Sequence, residues 1–202
     1  MNRMKMVIGI DEAGRGPLAG PVAVGLVRAP ADYDFLTIFP GLNDSKKMTE
    51  KNRERIFELL QERVTAGEIS YLVAMPTAQQ IDTYGIAVVI RTAIEKGLSK
   101  LVTEGKPHKV WLDGSLKAPI HYDQETVIGG DALIPAIMLA SVAAKVTRDR
   151  LMIELAREYP EYGFEKHKGY GTKAHYAALH EHGVSAVHRV TFIHLDRLSI
   201  QE

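Results

Sequence analysis

The chain predicts an α/β protein built on a central sheet, and three features carry that prediction. Short Val- and Ile-rich runs of strand length occur early and again near the middle. Segments with apolar residues at helical spacing lie between and after them, and Gly, Pro, Asn or Asp mark the joins. Interleaving of this kind argues against all-α and all-β architectures.

Residues 6–10 and 22–27 read as two strands of an antiparallel hairpin, joined by a Gly/Pro-rich connection longer than a minimal turn. Thr49 caps a helix over about residues 49–64, where Ile56, Phe57, Leu60 and Val64 share one face and Lys51, Arg53 and Arg55 fall on the wet side. Residues 69–75 alternate as a strand closed by Pro76. Residues 78–98 are helical, with Gly85 breaking a short helix from a longer one. Residues 108–112 form an apolar strand ending in Asp113 and Gly114, and 126–128 a last short strand. An Ala-rich run over 134–159 predicts a long helix stopped by Pro160, with Met138 and Met152 as core filler. Residues 172–182 predict a further helix closed by Gly183. Without an internal repeat or linker, residues 1–202 are expected to form one domain. Its segment 160–202, rich in His, Lys, Gly and Tyr, is expected as a helical appendage too short for its own core.

At 202 residues and 46% hydrophobic the chain supplies a substantial core. The 25 Lys and Arg balance the 25 Asp and Glu, so nucleic-acid affinity has to come from local patches, which argues against a nonspecific DNA-coating protein. The absence of cysteine removes disulfides, thiolate nucleophiles and the usual structural zinc sites, and fits a reducing compartment. His175, His180, His182, His188 and His194 lack the spacing of a zinc signature and read as surface or phosphate-contacting side chains. No run reaches membrane-spanning length free of charge, so a soluble, cytoplasmic protein is expected.

Asp11 and Glu12 directly follow the apolar run 6–10 and precede the glycine-rich stretch Gly14, Arg15, Gly16, Pro17. Carboxylates at a strand end are costly to bury without a cation, and glycines let backbone N–H groups approach an anion. Asp113 repeats the pattern at the end of a second strand, and Asp131 follows Gly129 and Gly130 just before the long helix. Any one of these acids alone is simply a turn residue. Four brought together would repel one another unless divalent cations neutralised them, and hard oxygen ligands favour Mg²⁺ or Mn²⁺ acting on a phosphodiester. Spacing leaves their convergence open. Pro17 interrupts any dinucleotide fingerprint, and no nucleotide-binding phosphate loop is present. Ser141, Lys145 and Arg148 share a face of the long helix as a polar stripe suited to a nucleic-acid backbone. Lys46, Lys47, Lys166, His167, Lys168 and Tyr170 add phosphate contacts and one aromatic. For any one cluster alone, a solvated face or loop is the simpler account.

Four motifs in order then resemble the ribonuclease HII family over residues 7–192: Gly9-Ile10-Asp11-Glu12-Ala13-Gly14-Arg15-Gly16-Pro17, Asp44-Ser45-Lys46-Lys47, the run from Ala140 to Asp149, and His167-Lys168-Gly169-Tyr170. The resemblance implies an RNase H-like fold, a mixed sheet flanked by helices with a small C-terminal helical extension. It also implies an endonuclease that cuts the RNA strand of RNA/DNA hybrids and incises 5′ of a single ribonucleotide in duplex DNA. Two divalent ions, Mn²⁺ or Mg²⁺, would leave 3′-hydroxyl and 5′-phosphate ends. Asp11, Glu12, Asp113 and Asp131 match the metal-binding acids, Gly14, Arg15 and Gly16 the reader of the 2′-hydroxyl, and Tyr170 the ring that packs on the adjoining deoxyribose. Lys46, Lys47, Lys145 and Arg148 are implied phosphate contacts, joined at the substrate by Ser45, Ser141, His167 and Lys168. Gly129 stands where the family commonly has lysine, and Leu139 where it has a small residue. No clamp-binding peptide is evident, and a monomer is expected. Two other readings make different predictions. A binding module would need no divalent ion, and a DNA resolvase on a similar sheet would cut branched DNA.

Overall fold

A computed structural model describes residues 5–102 and 107–194. Strands β1 (Met6–Ala13) and β2 (Ala23–Pro30) pair antiparallel, in register from Met6 opposite Pro30 to Ala13 opposite Ala23. The apolar run predicted β1 only to residue 10. Pairing with Ala23, Val24 and Gly25 extends the ladder and carries Asp11 and Glu12 within it. A single turn, α1 (Phe35–Ile38), is capped by the Asp34 carboxylate and is too short to show helical periodicity. Thr49 accepts the Asn52 N–H to start α2 (Glu50–Thr65), and β3 (Ser70–Ala74) follows. A Thr77/Gln80 capping box opens α3 (Ala78–Tyr84), and Gly85, at φ +80°, turns the chain into α4 (Ile86–Leu101). Beyond these lie β4 (Lys109–Asp113), β5 (Gln124–Val127), the short α5 (Gly130–Leu133) and the long α6 (Pro135–Glu158). A 3-10 turn at Pro160–Tyr162, α7 (Phe164–His167), α8 (Lys173–His182) and a second 3-10 turn at Val190–Phe192 complete the helices that follow among the described residues.

The sheet order is β3-β2-β1-β4-β5, with β4 parallel to both β1 and β5 and the remaining pairs antiparallel. One face carries α6 with α2, packed through Val27, Phe39, Ile56, Leu60, Leu139 and Val142. The other carries α3 and α4, packed through Ile8, Ile10, Leu26, Ile90, Ile94 and Leu112. Helix α6 presses onto the strand backbone itself. A Cβ at Gly9 would lie 2.2 Å from the Ala136 carbonyl, and one at Gly25 2.3 Å from the Ala140 oxygen. This close seating buries α6 around its whole circumference from Ala136 to Ala144, and Met138 and Met152 are buried as expected. A third cluster of Leu18, Ala19, Met152, Tyr162, Phe164 and Leu179 fastens the C-terminal extension to the glycine loop and the end of α6. Among the described residues no helix is long and apolar enough to cross a membrane. Residues 195–202, where a clamp-binding peptide would sit, lie outside the described residues.

Candidate active site

Because β1 and β4 are parallel neighbours with Ile10 opposite Leu112, Asp11 and Asp113 leave the sheet side by side. The third acid comes from α5. Gly129 takes the left-handed conformation at φ +67°, and the Asp131 N–H donates to Asp113 Oδ1 at 3.3 Å. One carboxylate oxygen each of Asp11, Asp113 and Asp131 lies within 4.8 Å of the others. Glu12, next along β1, is outside this group and accepts from Arg15 Nη1 at 3.2 Å.

Asp11 is only 4% exposed. Burial pushes its carboxyl up to about 8, with the charges of Glu12 and Asp113 adding to the rise and the Ser141 hydroxyl opposing it. Burial likewise raises Glu12, against the pull of Arg15. A buried carboxylate trio of this kind is frustrated as a set of anions, and its hard oxygens fit a divalent cation. Lys46 Nζ lies 2.9 Å from Asp131 Oδ2 and partly balances the charge. The loop that brings Lys46 here is fixed by Asp44 Oδ1, which accepts the Lys46 N–H at 2.9 Å. It is fixed also by Arg53, whose Nη1 donates to Ser45 O at 3.0 Å and Met48 O at 2.6 Å. Arg53 was expected on the wet side of α2 and instead braces this loop.

Several expected substrate contacts have other partners. Ser45 and Ser141 are buried and share a hydrogen bond of 2.8 Å, and Ser141 orients Asp11. They support the acid cluster rather than meet a nucleic-acid backbone. Lys145 Nζ is paired with Asp149 Oδ1 at 2.8 Å. Arg148, expected at a phosphate, is 1% exposed. Its Nε donates to Pro21 O at 2.8 Å, and its Nη2 to Ala19 O at 3.2 Å and Lys168 O at 3.0 Å. The stripe reading fails for Ser141 and Arg148, whose side chains are enclosed by protein, whereas Lys145 between them stays partly exposed. His175 and His188, expected at the surface, are buried and hydrogen-bonded Nε2 to Nε2 at 3.0 Å. His180, His182 and His194 are exposed.

Of the expected substrate contacts, fewer face solvent than the sequence suggested: Arg15, Gly16, Lys46, Lys47, Lys166 and Tyr170 are exposed. His167 and Lys168 are half-buried. His167 Nδ1 accepts the Gly169 N–H at 3.2 Å, and Lys168 takes positive φ, turning the chain toward Tyr170. The Gly169 carbonyl accepts the Leu18 N–H at 2.8 Å, which docks this turn on the glycine loop. Gly14 sits at φ +80°, and a Cβ there would lie 1.9 Å from Arg148 Nε. A Cβ at Gly16 would meet nothing within 4 Å. Protein packing demands the first glycine, whereas the second leaves open space beside the acids.

The sequence profile of the ribonuclease HII family matches residues 8–195. The Endomicrobium trichonymphae ribonuclease HII is 45% identical over 187 residues, 92% of this chain and 84% of its own length. The chain belongs to the ribonuclease HII family. It is an endonuclease that hydrolyses RNA in RNA/DNA hybrids, with an RNase H-like fold. Ribonuclease H2 of Pyrococcus horikoshii OT3 superposes with a TM-score of 0.72 at 25% identity, covering 92% of this chain and 93% of that one. Bst-RNase HIII in complex with Mn²⁺ shares the fold at a TM-score of 0.73 and 15% identity, covering 96% and 69%. The motif-based resemblance to ribonuclease HII thus agrees with whole-chain similarity. Residue reading overlooked Arg189, an isolated cation in a loop that the fold places beneath the glycine loop and leaves 0% exposed.

Proposed function

We propose that this ribonuclease HII incises duplex DNA 5′ of an embedded ribonucleotide, as well as the RNA of longer hybrids, leaving 3′-hydroxyl and 5′-phosphate ends. The observation that carries the reading is the packing of the Asp11, Asp113 and Asp131 oxygens within 4.8 Å, beside a glycine loop with open space at Gly16. These three carboxylates are the proposed ligands, with Glu12 a fourth once it releases Arg15. Two divalent ions held there, Mn²⁺ or Mg²⁺, would activate water for in-line attack and offset charge on the leaving oxygen. The Mn²⁺ complex of the Bst-RNase HIII neighbour supports that choice of ion.

The chain's own groups supply the rest. Ser141, held by Ser45, keeps the Asp11 carboxylate aimed at the cluster. Lys46 steadies Asp131 and, being largely exposed, stands with Lys47 to meet a substrate phosphate. Backbone N–H groups of the Gly14-Arg15-Gly16 loop read the 2′-hydroxyl, the group by which a protein tells RNA from DNA at one sugar. Tyr170, 46% exposed on the adjoining turn, packs on the neighbouring deoxyribose.

The test is cleavage of a labelled DNA duplex containing one ribonucleotide, with Mn²⁺, Mg²⁺ or chelator, beside an all-DNA control, with the ends mapped. A metal-dependent cut on the 5′ side of the ribonucleotide and an intact control are expected. Cleavage of the all-DNA duplex, or a 2′,3′-cyclic end, would overturn the reading.

A further inference from the structure

Two guanidinium groups lie buried beneath the glycine loop, and no carboxylate pairs with either among the described residues. Arg189 spreads its fork over three backbone carbonyls: Nη2 donates to Gly14 O at 2.8 Å, Nη1 to Arg15 O at 3.0 Å, and Nε to Gly20 O at 2.9 Å. Arg148 holds Ala19, Pro21 and Lys168 in the same way. The two cations are thus solvated by carbonyl dipoles, five from the glycine loop and one from Lys168 in the turn docked on it. Burial, with Arg148 nearby, pushes the Arg189 guanidinium down to about 9, which still leaves it charged at neutral pH. The segment carrying Arg189 is itself fixed. Its N–H donates to Leu18 O at 2.7 Å, and Asp82 accepts the N–H groups of Val190 at 2.8 Å and Thr191 at 3.1 Å.

This pinning has a directional consequence. In a trans peptide the carbonyl of one residue and the N–H of the next point opposite ways. Drawing Gly14 O and Arg15 O inward onto Arg189 therefore turns the N–H groups of Arg15 and Gly16 outward, toward the open space at Gly16. A ribose 2′-oxygen can accept from those donors, whereas a deoxyribose offers nothing and leaves them to water.

We propose that Arg189 is the positioning residue for ribose recognition, setting the Arg15 and Gly16 amides by its three-carbonyl grip. The inference rests on the ribonuclease reading above. It requires the planar fork, since a lysine ammonium at the end of a flexible stem keeps the charge but does not hold three carbonyls in fixed relative orientation.

The experiment measures dissociation constants, in chelator, for a DNA duplex with one ribonucleotide and for the same duplex in all-DNA form. Wild type and Arg189→Lys are compared, with folding monitored by circular dichroism. The wild type is expected to prefer the ribonucleotide, and Arg189→Lys to lose that preference by 10-fold or more. An unchanged preference in the folded variant, or an equal loss of affinity for both duplexes, would overturn the proposal. Should the variant not fold, amide NMR of the wild type decides. The Arg15 and Gly16 N–H resonances are expected to shift with the ribonucleotide duplex and not with the all-DNA one, and identical shifts would overturn it. A wild type with no preference at all defeats the underlying ribonuclease reading instead, so the two failures are distinguishable.

Discussion

At the scale of single residues, the site stores its charge problem in Asp11. A buried carboxyl raised by desolvation and by Glu12 and Asp113 opposes folding while no cation is present. Asp11→Asn keeps the shape and removes the charge, so two effects of opposite sign are expected. Cleavage should fall by on the order of 10³-fold or more, because several kcal/mol of transition-state stabilisation depend on the ligand set. Thermal melting in chelator should rise by roughly 2–4 °C for each kcal/mol of repulsion relieved. The two loop glycines make a second pair of contrasts. Gly14→Ala places a methyl against Arg148 at positive φ and should destabilise by roughly 2–5 kcal/mol, read from denaturant unfolding. Gly16→Ala meets nothing in the protein and should leave the unfolding midpoint within about 1 kcal/mol of wild type while raising KM for hybrid substrates.

Among the elements, α6 shows what sequence reading reached and where it stopped. Its span was legible within a residue or so at each end, because an Ala-rich run bounded by Pro160 has few alternatives. Its burial was not, because Ser141, Lys145 and Arg148 look the same in sequence whether they face solvent or a loop from another part of the chain. The close seating of α6 on Gly9 and Gly25 and the folding of the glycine loop over Arg148 decide that. Asp11 and Asp113 were legible as strand-end acids, whereas their meeting with Asp131 depends on β4 lying beside β1 and on the short α5, which is too brief for any periodicity. In loop 44–47 only Lys46 and Lys47 are exposed, and a measurement separates their proposed phosphate contacts from the buried polar residues of α6. Lys46→Ala and Lys47→Ala should each reduce the slope of log K against log salt for hybrid binding by up to about one. Arg148→Ala should instead cost stability, since three buried carbonyls lose their donor.

For the molecule as a whole, a polar chain ties the C-terminal extension together. Ser185 N–H donates to His188 Nδ1 at 2.9 Å, so His188 presents its Nε2 proton to His175 Nε2, and His175 Nδ1 donates to Tyr170 O at 3.0 Å. Both rings are neutral in this arrangement, and burial lowers each to about 4, with the stacked His167 adding to the effect on His175 and His175 adding to that on His188. The unfolded chain takes up protons on these histidines near pH 6.5 while the folded chain resists until about pH 4. Their contribution to stability is therefore complete above the unfolded value and lost as pH falls toward the folded one. With up to two protons involved, the steepest loss is roughly 2–3 kcal/mol per pH unit. Melting temperatures between pH 7 and 4 should show this slope in the wild type, and His188→Gln should flatten it. An equal slope in the variant would place the acid sensitivity elsewhere.

The central claim is that Asp11, Asp113 and Asp131 act together as one divalent-ion site that drives hydrolysis. It is tested most directly by Mn²⁺ titration of the wild type and of Asp131→Asn, read by electron paramagnetic resonance, alongside cleavage of an RNA/DNA hybrid by the same preparations. The expected result is at least about a 10-fold loss of Mn²⁺ affinity in the folded variant, together with loss of cleavage. Wild-type affinity with full cleavage in Asp131→Asn would contradict the claim.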